Sequence, residues 1–230
     1  MPGAGEDGAR AGRSSNAGRE AVGGGLYDRR MSTPSDLRPL HRTAVTISVD
    51  IVSRVRADDL DRPTPCGDWT LRDLLAHMTV QHLGFAAAAR GHGGDPGLWD
   101  ANPDEPDPVG AYATAAADVL DAFAADDVLT AELELPEFAP VTRYPGAQAI
   151  GFHFIDYVAH GWDVAATLGV PYEIPDDVAA AVLPLALQVP NGAGRGAPGA
   201  AFAAAIESGD GSSDLDRFLL WLGRDPAWRP

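Results

Sequence analysis

One stretch constrains this chain more than any other. Between Pro145-Gly146 and Gly169-Val-Pro171, the apolar residues Ile150, Phe154, Tyr157, Val158, Val164 and Leu168 follow a helical pattern, with a Pro-Gly start and a Gly-Pro stop. Inside that helix His153, Asp156 and His160 stand at spacings of three and four. At about 100° per residue, the three side chains fall within roughly 60° of one another on one face. Imidazole nitrogen and carboxylate oxygen suit zinc and its divalent neighbours, and groups one turn apart supply about half a coordination sphere. A further ligand must come from another element.

The rest of the pattern is also helical. A first helix is expected from Ser35 or Asp36 to about Ala57-Asp58, and a second begins at the N-cap pattern Thr70-Leu-Arg-Asp73 and runs to about Arg90. A third spans about Pro108 to Ala125 after a loop rich in Gly, Pro and Asp. Leu129 to Leu135 alternates Leu with Thr or Glu and reads as extended, and shorter helices are expected over Pro175–Val189 and Asp214–Leu222. Four long helices with little strand signal indicate an all-α helix bundle with short additional C-terminal helices.

Composition narrows the chemistry. The chain has 230 residues and a formal charge of −16, and all seventeen of its basic residues are arginine. An acidic chain without a basic stripe argues against nucleic acid as a partner. The missing lysine removes Schiff-base chemistry, covalently held pyridoxal phosphate and a P-loop, each of which needs an amine. Cys66 is the one cysteine, so neither an intrachain disulfide nor a multi-cysteine zinc cluster can form, and a cytoplasmic location is the natural expectation. No run of 18 apolar residues occurs, so no membrane partner is expected. Residues 1–34, Gly-rich at the start and without an apolar signal region, are expected to be a disordered N-terminal extension, with Met31 resembling a natural start; one domain then covers 35–230.

Among the remaining histidines, His77 is the best partner for the helical triplet. It lies in Leu74-Leu-Ala-His-Met78, at the centre of an apolar helical face, where a buried imidazole needs a polar partner. It reads either as a core histidine bonded to a backbone carbonyl or as a metal ligand facing the fourth helix. Gln81, one turn later, lines the same side, whereas His82 points elsewhere. His92 reads as solvent-exposed in a Gly loop and His41 as a surface residue. Trp69 and Trp162 read as core packing beside the site, Cys66 as a small buried turn residue, and Asp163 as solvated or bonded to a ligand histidine or Arg72.

Two segments together carry a family likeness. Thr64-Pro-Cys-Gly-Asp-Trp-Thr-Leu-Arg-Asp-Leu-Leu-Ala-His77-Met and Asp156-Tyr-Val-Ala-His-Gly-Trp-Asp163 resemble the DinB-like superfamily, and more closely its actinobacterial mycothiol-dependent maleylpyruvate isomerase-like branch of metal-binding proteins. The ending from Asp214 to Trp228 is similar too, so the resemblance covers about residues 35–230. It implies a DinB-like four-helix bundle holding one divalent metal, zinc before nickel, iron, manganese or cobalt, on His77, Asp156 and His160. The isomerase of that branch has Glu at the acidic position. The shorter Asp156 leaves room for His153 as an alternative or fourth ligand.

The resemblance further implies mycothiol or a similar low-molecular-weight thiol as cosubstrate, activated at the metal for S-transfer to, or cis–trans isomerisation of, an electrophilic small molecule. Arg72 and Arg143 are conceivable carboxylate anchors or surface ion-pair residues, and Gln81 a cofactor contact. A second reading keeps the metal but uses bound water, with His153 as the catalytic proton carrier of a hydrolase or lyase. A third is a metal- or ligand-binding module without catalysis. The chain is expected to act as a monomer or homodimer.

Overall fold

The computed structural model describes residues 36–138, 140–197 and 200–230. The N-terminal extension and the start at Met31 lie outside the described residues. The described chain is helical: α1 (Arg38–Val52), α2 (Leu71–Ala89), α3 (Pro108–Ala122), α4 (Gly146–Leu168), α5 (Asp176–Ala186) and α6 (Asp214–Trp221). Two three-residue strands, β1 (Glu132–Glu134) and β2 (Arg143–Pro145), pair antiparallel with Leu133 opposite Tyr144. Part of the Leu129–Leu135 run is thus extended, and it closes a short ribbon just before α4.

Local chemistry explains the ends of the elements. Thr70 caps α2 by accepting from the Asp73 N–H, while the Asp73 carboxylate accepts from the Thr70 N–H, a reciprocal capping box. Gly169 ends α4 in the left-handed region at φ 69°, where a side chain would be strained. Helix α1 stops earlier than the periodicity predicts. The N–H groups of Arg54 and Val55 bond carbonyls three residues back, each at 3.0 Å, and the chain then makes a short 3₁₀ turn at Ala57–Asp59.

Helix α1 packs along α4, and α2 packs along α3 and faces α4; α5 and α6 pack on each other, and α5 closes one end against α1 and α4. Most of α4 is buried, so its polar residues must be satisfied from neighbouring elements rather than by water. That requirement sets up the site. Among the described residues no helix is long and apolar enough to cross a membrane.

Candidate metal centre

Helices α2 and α4 bring His77, Asp156 and His160 together. His160 Nε2 lies 3.2 Å from Asp156 Oδ1, and His77 Nε2 lies 4.0 Å from Asp156 Oδ2. One ligand atom from each residue falls within 4.8 Å of the others. Asp156 Oδ2 is buried and accepts no hydrogen bond, and at 4.0 Å from His77 Nε2 it keeps a lone pair without a proton partner. Two nitrogens and one oxygen, with an orphaned carboxylate oxygen among them, fit a divalent transition metal.

The two imidazoles differ in charge: His77 is held neutral, whereas His160 carries a proton near neutral pH that a metal would have to displace. Burial pushes the His77 imidazole down to about 4, into the neutral form that binds metals, against the pull of Asp156. Burial alone would raise Asp156, but the charge of His160 and its hydrogen bond outweigh that and hold the carboxyl below its ordinary value. Burial likewise opposes charge on His160. Asp156 and Asp163 overcome it and raise His160 well above the usual histidine range.

Behind the triad lies a second polar group that shares His160. Its Nδ1 is 2.8 Å from Asp163 Oδ2, on the ring edge opposite Asp156. Cys66 Sγ donates to the same Asp163 oxygen at 2.9 Å and sits 3.7 Å from His160 Nδ1. Arg224, from the segment after α6, meets Asp163 with its Nε at 3.3 Å and its second terminal nitrogen at 3.0 Å. Cys66, His160 and Asp163 also have donor atoms close enough for a metal. The Arg224 guanidinium already supplies the cation on that side, so a metal ion is favoured at the His77 side. Burial, reinforced by Asp163, pushes the Cys66 thiol up, so the group is a protonated donor rather than a thiolate.

His153 is not at this site. Its Nδ1 is 2.7 Å from His41 Nε2 and its Nε2 is 3.2 Å from His82 Nδ1, so three buried imidazoles form a row through the bundle. The row stacks against Tyr157, whose ring lies 4.1 Å from that of His153 and 3.9 Å from that of His82. The triplet therefore splits. Asp156 and His160 face α2 at His77, while His153 turns toward α1 and the next turn of α2. An arc of roughly 60° is wide enough for neighbouring helices to divide it. His41, read as a surface residue, is buried because α1 lays that side of its first turn on α4. His82 points away from the triad, as its helical offset predicts.

The other candidates are occupied elsewhere. Gln81 is buried and donates to Glu137 Oε2 at 2.7 Å. Arg143 is exposed and pairs with Glu134 at 2.7 Å, its opposite number on the ribbon, and Arg72 lies 3.9 Å from the exposed Asp61. The ion-pair reading of the two arginines matches this placement, and neither is an unengaged anchor for a carboxylate. Trp69 is not core. It is 38% exposed, with its ring 5.0 Å from that of His77, whereas Trp162 is buried. Sequence reasoning missed Arg224 entirely, because nothing in Leu222-Gly-Arg-Asp225 distinguishes a buried arginine from a surface one.

Comparison with known proteins agrees with this architecture. Residues 41–165 match the family model described as the mycothiol maleylpyruvate isomerase N-terminal domain. An uncharacterized protein of Mycobacterium tuberculosis, found in strains CDC 1551 / Oshkosh and H37Rv, is 31% identical over 189 residues, spanning 80% of this chain and 95% of the relative. A crystal structure of a histidine-to-alanine variant of the mycothiol-dependent maleylpyruvate isomerase superposes with a TM-score of 0.50 at 14% identity. That match covers 64% of this chain and 66% of the isomerase, just under two thirds of it, and it establishes the shared fold alone.

Proposed function

Because this chain belongs to the mycothiol maleylpyruvate isomerase N-terminal domain family, we propose that it is a thiol-dependent enzyme acting on an electrophilic small molecule, with His77, Asp156 and His160 holding one divalent metal ion, zinc foremost. The observation that carries this reading is the convergence of two imidazoles on a half-buried carboxylate whose buried Oδ2 has no hydrogen-bond partner. A metal bound there supplies the positive charge that lowers a thiol's pKa and keeps its sulfur nucleophilic at neutral pH.

The chain's own residues then define the surroundings. Three protein ligands leave coordination positions free for a small molecule. His77 and Asp156 are half-buried, so the site reaches solvent on that side. Trp69 offers a partly exposed indole next to His77, a flat apolar surface for the body of an incoming electrophile. His160 is closed off behind by Asp163, Cys66 and Arg224. In an isomerisation the thiol adds across an activated double bond and leaves again after rotation, with no net change of atoms; in an S-transfer the new carbon–sulfur bond is retained, the double bond becomes single and the proton lost from the thiol passes to the neighbouring carbon.

Thiol consumption by purified, zinc-loaded protein tests the proposal, with mycothiol and an activated alkene as substrates. Loss of free thiol, or thiol-dependent cis–trans conversion, is the expected result. Turnover that proceeds equally without thiol would overturn it in favour of water-based chemistry, and tight metal binding without turnover would favour a binding module.

A further inference from the structure

Asp163 is 0% exposed and carries a cluster of donors that a stray surface acid would not collect. His160 Nδ1 and Cys66 Sγ meet Oδ2 at 2.8 and 2.9 Å, and Arg224 spans the carboxylate, with Nε 3.3 Å from Oδ1 and a terminal nitrogen 3.0 Å from Oδ2. Each donor comes from a different part of the fold. Cys66 sits in the loop before α2, His160 on α4, and Arg224 beyond α6, outside residues 41–165.

The chain builds the Arg224 position deliberately. Gly223 takes φ 77°, its N–H bonds the Leu220 carbonyl at 3.0 Å, and the Arg224 N–H bonds the Leu219 carbonyl at 2.9 Å, so α6 ends in a left-handed turn that swings Arg224 inward. A Cβ at Gly223 would come within 2.6 Å of the Ala203 Cβ, so the turn is also tightly packed. A further Arg224 N–H bonds the Leu222 carbonyl at 3.0 Å. The guanidinium is therefore held from its own side as well as from Asp163.

We propose that Asp163 and Arg224 are positioning residues for the candidate metal centre: Arg224 fixes the Asp163 carboxylate, and Asp163 fixes the Nδ1 edge of His160, so that Nε2 is the nitrogen presented to Asp156 and His77. A carboxylate that accepts Nδ1–H sets both the orientation of the ring and which nitrogen carries the ligating lone pair. The inference rests on the metal reading above for its affinity consequences, and it makes the C-terminal segment part of the site. Without Arg224 the buried carboxylate would lose its charge partner and the ring its fixed edge.

Zinc titration of the full-length chain against a chromophoric chelator tests this in wild type, Asp163→Asn, Arg224→Met and Arg224→Lys. Circular dichroism confirms that each variant is folded. The expected loss of zinc affinity is roughly 10–100-fold for Asp163→Asn and Arg224→Met. Arg224→Lys keeps the charge but not the fork, so a smaller, several-fold loss is expected, and it carries the affinity test where the other two do not fold. Nitrogen-15 NMR of the imidazoles supplies a second readout. In wild type His160 should show a hydrogen-bonded Nδ1–H both without metal and with zinc; in Asp163→Asn that proton should exchange faster and the coordinating nitrogen should no longer be unique. Unchanged affinity together with an unchanged His160 Nδ1–H signal would overturn the proposal. If wild type binds no zinc, the metal reading fails separately, and the Nδ1–H signal in metal-free wild type and Arg224→Lys still decides whether Asp163 and Arg224 position the ring.

Discussion

His153 Nδ1 lies 2.7 Å from His41 Nε2, in the interior of the bundle and not at the candidate metal triad. With His82 on its other nitrogen, the pair forms a buried row of neutral imidazoles. Burial pushes His41 down to about 3 and holds His82 and His153 well below their ordinary value. The folded chain therefore resists protonating them, whereas the unfolded chain takes up those protons near pH 6.5. Stability from this row should be complete above about pH 6.5 and fall as the pH drops. For His41 alone the loss is about 2 kcal/mol by about pH 5. His160 works in the opposite sense, because Asp156 and Asp163 outweigh its burial and raise it. Histidine NMR titration separates the two effects: the three row imidazoles should remain neutral well below the pH at which a free histidine titrates, and titration of any of them near 6.5 would contradict this account.

His77→Ala and His160→Ala should each abolish stoichiometric zinc binding, because each removes one of the three proposed ligands. Elemental analysis of variants purified alongside wild type checks this. Retention of one metal per chain in both would show that the triad is not the site. His153→Phe should retain its zinc, since that ring faces His41 and His82.

Trp69→Ala should separate binding from stability. The indole is partly exposed and touches His77, so its removal should raise KM for the electrophile several-fold while lowering stability by only about 1 kcal/mol. Steady-state kinetics beside a thermal melt measures both. A melting shift as large as that of a core truncation, with KM unchanged, would make Trp69 a packing residue.

Ser48→Ala tests the polar economy of the core. Ser48 Oγ and Tyr112 Oη lie 2.6 Å apart between α1 and α3, and both residues are fully buried. Removing the serine hydroxyl leaves the Tyr112 hydroxyl without that partner, at a cost of about 1–3 kcal/mol. The further change Tyr112→Phe should recover part of the loss. Urea unfolding of the two single variants and the double variant gives the coupling energy directly.

Thr70→Ala should cost about 1 kcal/mol through loss of the cap on α2, without altering zinc content, because the cap lies two turns from His77. Chemical denaturation and elemental analysis of the same preparation would show whether the two effects separate.

Local chemistry and periodicity sufficed to read the bundle from the chain. The Thr70–Asp73 cap, the Pro145-Gly146 start and the Gly169 stop are short-range features, and apolar spacing identified the long helices. The i,i+4 pair Asp156 and His160 was legible for the same reason, since two residues one turn apart on a helix must share a face. Only the tertiary structure decided the rest. Whether His153 joins that face or turns to His41 depends on how α1 and α2 divide the surface of α4, and whether Arg224 is a surface arginine or the partner of Asp163 depends on a turn that closes 61 residues away in sequence. Such contacts arise from packing between distant segments, and spacing along one helix carries no information about them.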